Sequence, residues 1–226
     1  MKSSKLGKRE IWYENSDEFY ELKKEIFGEN CYYLEPEMDN PRIIDAGAHI
    51  GLSTLYFKSI FPMASITAYE PIPSNYLILE KNIQENQLDG VELKNIAVAP
   101  KTGKLKLFEP SGRDAWKSGA GIIPKGWRGV QSTHEIEVQA IGILEILQEK
   151  IDIFKMDVEG MEYELLRNAK HLIQNVSNWI VESHPRSGHR VEEMIKIFEQ
   201  NGYKVEQHKD QSSLGVGLSQ IVAVLK

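Results

Sequence analysis

A chain of 226 residues is long enough for one α/β domain with a substantial core and tight for two. With 41% hydrophobic and 27% charged residues it reads as a soluble globular protein, and no apolar run approaches the roughly 20 residues that span a bilayer. A net charge of −6 argues against general nucleic-acid binding, which is built from clustered Lys and Arg. The lone Cys31 excludes an internal disulfide, so a cytoplasmic setting is the expectation.

Residues 1–10 are basic and polar, with no apolar segment of signal-peptide length behind them. Residues 15–27 are expected to form a helix: Asn15 can cap it, Glu18 follows three residues later, and Phe19, Leu22 and Ile26 share a face. After the short apolar run 31–34 comes a turn-rich break at 35–41, so residues 1–40 are expected to act as an N-terminal helical lid or brace. That region could also pair with another subunit. From Arg42 the pattern alternates. A strand at 42–46 stops at glycines, and Leu52, Leu55, Tyr56, Ser59 and Ile60 form a helical stripe ended by Pro62. A strand (65–69), a helix (74–87) and a strand (91–98) follow, then a strand at 104–108. Residues 109–133 carry five glycines and two prolines and read as a functional loop. Strands are expected at 135–140, 151–156 and 179–182, and helical faces at 143–148, 161–172 and 191–198. Two closing strands, 203–207 and 218–225, flank a turn at 212–217. Strands alternating with helices imply parallel pairing, helices on both faces, and one domain over 41–226.

Two features mark a nucleotide-type site. The run Asp45-Ala-Gly47-Ala-His49-Ile-Gly51 lies between a strand and a helix, and its glycines permit a sharp turn and close ligand approach. The next strand ends at Glu70, where a carboxylate can accept hydrogen bonds from both hydroxyls of a ribose. The glycines are spaced four apart and the third glycine of the dinucleotide fingerprint is missing. This disfavours the alternative of a nicotinamide-dependent oxidoreductase. An acidic residue at the strand end suits S-adenosylmethionine, which carries an ammonium and a sulfonium and no phosphate.

The sequence resembles the FkbM family of methyltransferases, within the class I S-adenosylmethionine-dependent fold. The likeness rests on Ile44-Asp-Ala-Gly-Ala-His-Ile-Gly51, on Tyr69-Glu-Pro71 with Asn82, and on Lys155-Met-Asp-Val-Glu-Gly160 with Glu162; Asn95-Ile-Ala97 and Gly103 also fit. The resemblance implies a Rossmann-like, seven-stranded, mostly parallel sheet with an antiparallel C-terminal strand. It also implies methyl transfer, usually to a hydroxyl of a sugar, polyketide or other secondary metabolite, with nitrogen on a peptide side chain as the alternative. By position, Asp45, Gly47, Ala48, His49 and Gly51 would hold the methionine end of the cofactor and Glu70 its ribose. Pro71, Ile72, Asn95 and Ala97 would border the adenine. A non-catalytic binding protein on the same fold is disfavoured because these positions are intact.

Methyl transfer needs alignment, exclusion of water and, for an alcohol, a base. Ligands sit at the carboxyl ends of parallel strands, where Asp157-Val-Glu159 and Glu182-Ser-His184 stand. Asp157, Glu159 and His184 are therefore the catalytic candidates, with Asp157 also near the cofactor. Their plain structural readings are helix capping for the carboxylates and a surface turn for the histidine. Lys155 inside an apolar strand reads as a buried ion pair with Asp157 or Glu182. Arg113, Trp116, Lys117, Trp127 and Arg128 in the 109–133 loop, with Glu182 and His184, are candidate acceptor contacts. His184 and His189 have no tight ligand cluster in sequence, so no metal site is assigned.

Overall fold

The computed structural model describes residues 1–35, 39–112, 115–122, 124, 132–169, 171–184, 191–209 and 219–226. Arg113, Trp127, Arg128, His189 and the turn expected at 212–217 lie outside the described residues.

The chain opens with an antiparallel hairpin, β1 (Lys2–Leu6) and β2 (Arg9–Tyr13). From sequence, no element is expected before Asn15. Ile11 and Tyr13 are the buried side of β2, an alternation hidden among charged neighbours. Helix α1 (Ser16–Lys23) follows, with the Asn15 side chain accepting from Asp17 N and Glu18 N as expected, and it runs on as a π-helical turn, Lys24–Gly28. Next come β3 (Arg42–Ala46), α2 (Leu52–Ile60), β4 (Ser65–Tyr69), α3 (Pro73–Glu85) and β5 (Val91–Lys94).

The single strand expected at 91–98 is two strands. Asn95 Nδ2 donates to the carbonyls of Glu70 (2.8 Å) and Pro71 (3.3 Å), which turns the chain after β5 and sends β6 (Ala97–Ala99) into a different sheet. That sheet has the order β6-β8-β7, with β7 (Gly103–Pro110) and β8 (Thr133–Gly142) antiparallel to each other. Helix α4 (Ile143–Ile146), β9 (Ile151–Met156), α5 (Glu162–Ala169), β10 (Val176–Ser183), α6 (Val191–Gln200), β11 (Tyr203–Lys209) and β12 (Ser219–Leu225) complete the described elements.

The main sheet has seven strands in the order β11-β12-β10-β9-β3-β4-β5. The pairs β10/β9, β9/β3, β3/β4 and β4/β5 are parallel, and β12 runs antiparallel to both of its neighbours. This is the mostly parallel sheet with an antiparallel C-terminal strand that the sequence implied. Because side chains alternate across a sheet, adjacent positions serve opposite faces. Ile44, Phe154 and Trp179 are in register on one face, and they pack with α5 and α6. Ile43 and Ile153 lie on the other, with α2 and the N-terminal segment.

That segment explains why α2 is buried nearly all round. Ile11, Tyr13, Phe19, Ile26 and Tyr32 cover its outer side. Hairpin and α3 are joined as strand and partner would be: Asn82 accepts from Trp12 N (2.7 Å) and donates to Trp12 O (3.0 Å), and one turn on Asn86 does the same with Glu10. No helix among the described residues is long and apolar enough to cross a membrane.

Candidate active site

The carboxyl ends of β3, β4 and β9 open into a cleft, the place where parallel sheets hold their ligands. Its first wall is the loop between β3 and α2. Gly47 N and Ala48 N both donate to Tyr69 O (2.9 and 3.0 Å), drawing the loop across the end of β4. Gly47 (φ +83°), His49 (φ +51°) and Gly51 (φ +94°) are all left-handed. At Gly47 the glycine is obligatory, because a Cβ there would lie 1.8 Å from the Asp157 carbonyl oxygen. Gly47, Ala48 and His49 line the cleft, while Gly51 sets the start of α2 behind it.

The bend at His49 turns its N–H onto Glu70 Oε2 (2.8 Å), and Ile72 N reaches Oε1 (2.9 Å). Glu70 is 4% exposed; burial pushes its pKa up to about 7, and the two backbone donors oppose the rise. Pro71, Ile72 and Ala97 line the cleft, whereas Asn95 stands outside it as the clasp at the end of β5. Asn75, in the first turn of α3, is a lining residue the sequence did not single out. It is 2% exposed, and its Oδ1 has no hydrogen-bond partner among the described residues.

Asp45, expected at the methionine end of a cofactor, lies instead beneath the loop and is fully buried. Its Oδ2 accepts from Ser53 Oγ (2.7 Å) and Thr54 Oγ1 (2.6 Å) in the first turn of α2, where a carboxylate favours the helix dipole. Its Oδ1 is 3.6 Å from Lys155 Nζ, the residue paired with it in register across β3 and β9. Lys155 is the buried cation foreseen from sequence. It donates to Gly47 O (2.7 Å) and to Asp157 Oδ2 (3.3 Å). Burial pulls its pKa down, but Asp157, Asp45 and Glu182 outweigh this and raise it, so the ammonium stays charged.

Beyond β9 the chain turns at Glu159 (φ +52°) and Gly160 (φ +106°). Glu162 Oε1 accepts from Val158 N (3.3 Å) and Gly160 N (3.0 Å), and His184 Nδ1 lies 3.0 Å from the same oxygen. Glu162, 2% exposed, thus ties the end of β9 to the end of β10, a role its position at the start of α5 gave no reason to expect. His184, a candidate base and acceptor contact, does not line the cleft, and it is not the surface-turn histidine of the plain structural reading either. Its side chain is 4% exposed, and Nε2 is 3.5 Å from Glu159 Oε2, 3.8 Å from Glu182 Oε1 and 3.9 Å from Asp157 Oδ1. Burial pulls its pKa down, but Glu159 and Glu162 raise it well above the usual value. Burial raises Glu182 to about 8 and carries Glu159 well above the carboxylate range. Asp157 and Glu159 line the cleft, and Asp157 Oδ1 and Glu159 Oε2 are buried without a hydrogen-bond partner among the described residues.

A segment of the expected acceptor loop closes the cleft from the front. Lys117, Ser118 and Ala120 line it, together with Leu22, Ile26 and Tyr32 of the N-terminal region. Trp116, half-buried, precedes the 3-10 turn Lys117–Gly119. Ser118 N donates to Glu18 Oε1 (2.7 Å), so Glu18 holds this segment instead of boxing its own helix. Gly121 lies so close that a Cβ on it would meet Glu159 O at 2.6 Å.

Comparison with known proteins agrees with this architecture. The Methyltransferase FkbM domain matches residues 45–205. Methyltransferase 1 of Beauveria bassiana is 30% identical over 176 residues, covering 69% of this chain and 70% of that one. The 31-O-demethyl-FK506 methyltransferase FkbM of Streptomyces tacrolimicus is 22% identical over 238 residues, 92% of this chain and 91% of that one. The crystal structure of methyltransferase FkbM from Methylobacillus flagellatus shares the fold with a TM-score of 0.59 at 15% identity. The match covers 84% of this chain and 45% of that chain, so this protein spans less than half its length. With the family's match running from the Asp45 loop through the Asp157–Gly160 turn to β11, the chain belongs to the FkbM methyltransferase family and is an S-adenosylmethionine-dependent methyltransferase.

Proposed function

We propose that this enzyme methylates a hydroxyl oxygen of a small molecule, with S-adenosylmethionine lying along the Gly47–His49 loop and its ribose on Glu70. The observation that carries the reading is the pair Asp157 and Glu159 at the end of β9. Both line the cleft next to that loop, and each keeps a buried carboxylate oxygen without a hydrogen-bond partner among the described residues. The name of the Streptomyces relative, which refers to an oxygen position, supports an oxygen acceptor. The acceptor oxygen attacks the methyl carbon, the carbon–sulfur bond breaks, and the sulfonium becomes the thioether of S-adenosylhomocysteine. The hydroxyl proton passes to a carboxylate. Glu159 is the better placed of the two because Asp157 is engaged with Lys155; the raised pKa of Glu159 means that it acts as base only once it has lost its own proton, so kcat should climb as pH rises. The 115–122 segment and Tyr32 exclude water.

Purified protein given methyl-labelled S-adenosylmethionine and a panel of hydroxylated small molecules and peptides tests this. The label is expected in an ether, and Glu159→Gln should lower kcat by about 10²- to 10⁴-fold without changing adenosylhomocysteine affinity. Label on nitrogen, or an unaltered kcat in the variant, would refute the oxygen reading or the base.

The cofactor half of the proposal has its own test. Glu70→Ala removes a charged acceptor of ribose hydrogen bonds worth about 1.5–3 kcal/mol each, so affinity for adenosylmethionine should fall about 10²-fold or more by calorimetry. Without cofactor, Glu70 acquires its charge only near pH 7, so wild-type affinity should rise from pH 6 to pH 8. That rise should be absent in Glu70→Ala. Because the folded pKa lies above the reference value of 4.5, Glu70's contribution to stability is full below pH 4.5 and is lost as pH rises through about 7. A flat pH profile in the wild type would remove Glu70 from the cofactor site.

A further inference from the structure

We propose that Asp157, Glu182 and His184 bind a divalent metal ion beside the cleft, behind Asp157, with Glu159 within reach as a further oxygen ligand. The three ligands stand at the ends of adjacent parallel strands, β9 and β10, and their ligand atoms lie within 4.8 Å of one another. The sequence showed no tight ligand cluster, because Asp157 is 25 positions from Glu182 and only the β9/β10 register brings them together.

Three observations carry the inference. First, the imidazole is oriented as a ligating histidine is. Its Nδ1 is held by Glu162 Oε1 at 3.0 Å, and Glu162 is itself fixed by Val158 N and Gly160 N. A buried carboxylate on the far nitrogen is the usual device for aiming the near one at a metal. Second, Nε2 faces three carboxylate oxygens at 3.5, 3.8 and 3.9 Å, too long for good hydrogen bonds. Two atoms each about 2.1 Å from a shared ion are themselves roughly 3–4.2 Å apart, so a contraction of up to about an ångström completes a coordination shell. Third, Asp157 Oδ1 and Glu159 Oε2, two of those three oxygens, are buried with no hydrogen-bond partner among the described residues. The only cation the described residues set against them is the His184 imidazole at 3.5–3.9 Å, and a metal ion taking the place of its Nε2 proton, which is released, would serve these oxygens at much shorter range.

One imidazole with two or three carboxylates and no thiolate suits Mn²⁺ or Mg²⁺ better than a soft metal. Asp157 is the ligand shared with the cleft, so an acceptor oxygen reaching the ion would be oriented and made more acidic. That catalytic use rests on the oxygen-acceptor reading above. Metal binding does not.

The test therefore reads binding alone. Protein dialysed against EDTA is titrated with Mn²⁺, and the free ion is followed by electron paramagnetic resonance, with circular dichroism on every variant. The expected result is saturation near one Mn²⁺ per chain, competed by Mg²⁺. Affinity should drop more than about tenfold in Glu182→Gln, an isosteric change at a side chain 28% exposed, and in His184→Ala. Glu162→Gln, which touches only the histidine of the three ligands, should lose about tenfold, and Glu137→Gln on β8 should lose nothing. No Mn²⁺ bound at concentrations on the order of a millimolar, or equal binding by Glu182→Gln and His184→Ala, overturns the site. Neither outcome bears on whether adenosylmethionine binds.

Discussion

Gly47→Ala is expected to remove the cofactor site and most of the protein's stability margin together. The new Cβ would fall 1.8 Å from the carbonyl oxygen of Asp157, inside any contact distance, and the obstacle is backbone rather than a side chain that can swing away. Asp157 N donates to Ala46 O (3.0 Å), so the ends of β3 and β9 are bonded at this height and cannot part without losing the pair. The residue also sits at φ +83°, which adds about 1–2 kcal/mol for any side chain. A total above about 4 kcal/mol follows, which lowers the thermal midpoint by roughly 10 °C or more for a domain of this size. Calorimetry should find no adenosylmethionine binding. Gly7→Ala serves as the control, since Gly7 has a similar positive φ of +61° but nothing within 4 Å of the added carbon. Its cost should stay near 1 kcal/mol. Equal midpoints for the two variants would show that the approach to Asp157 is not what fixes this loop.

Lys155→Met should come next in size. The ammonium is 2% exposed and is shared among Gly47 O, Asp157 and Asp45. Methionine matches its length but leaves two carboxylates, one of them fully buried, without their cation. Breaking a buried pair from one side costs about 3–5 kcal/mol. The exposed pair Lys104–Glu137 is the comparison, and Lys104→Met should leave the midpoint almost unchanged. Adding Asp45→Asn to Lys155→Met should recover part of the loss, because it removes one stranded charge. Denaturant midpoints at constant slope measure all three. A Lys155→Met midpoint no lower than that of Lys104→Met would mean the aspartates are satisfied without the lysine.

Both variants act where the sequence was read unevenly. The strands β3, β4 and β9 begin and end where the residue pattern says they should. Buried parallel strands are short apolar runs, and Gly47, Glu70 and Asp157 interrupt them sharply. The hairpin β1–β2 escaped because its buried residues, Ile11 and Tyr13, are flanked by charge, and its partner is a helix carrying Asn82 and Asn86 rather than a sheet. The split between β5 and β6 escaped because it depends on one amide, Asn95, bonded to backbone 24 and 25 residues earlier.

At the site the division is similar. Glu70 could be read from its place at a strand end, and Lys155 from the cost of an unpaired cation in an apolar strand. Asp45 and His184 could not be placed, since each role is set by residues distant in sequence: Lys155 across β3 and β9 for Asp45, Glu162 and the acidic side chains for His184.

By itself the sequence determined the order of strands and helices from β3 to β5 and from β7 onward, the glycine turn, the acidic residue after it and the methyltransferase family. These are local signals, written in periodicity, chain reversal and the spacing of a few residue types. Only the tertiary structure decided that Asp45 supports the loop from beneath, that Glu18 and Gly121 hold the 115–122 segment over the cleft, and that His184 lies among four carboxylates. The reason is physical: burial and neighbouring charge set what a carboxylate or an imidazole can do, and both depend on side chains that only the packing of β9 against β3 and β10 brings together.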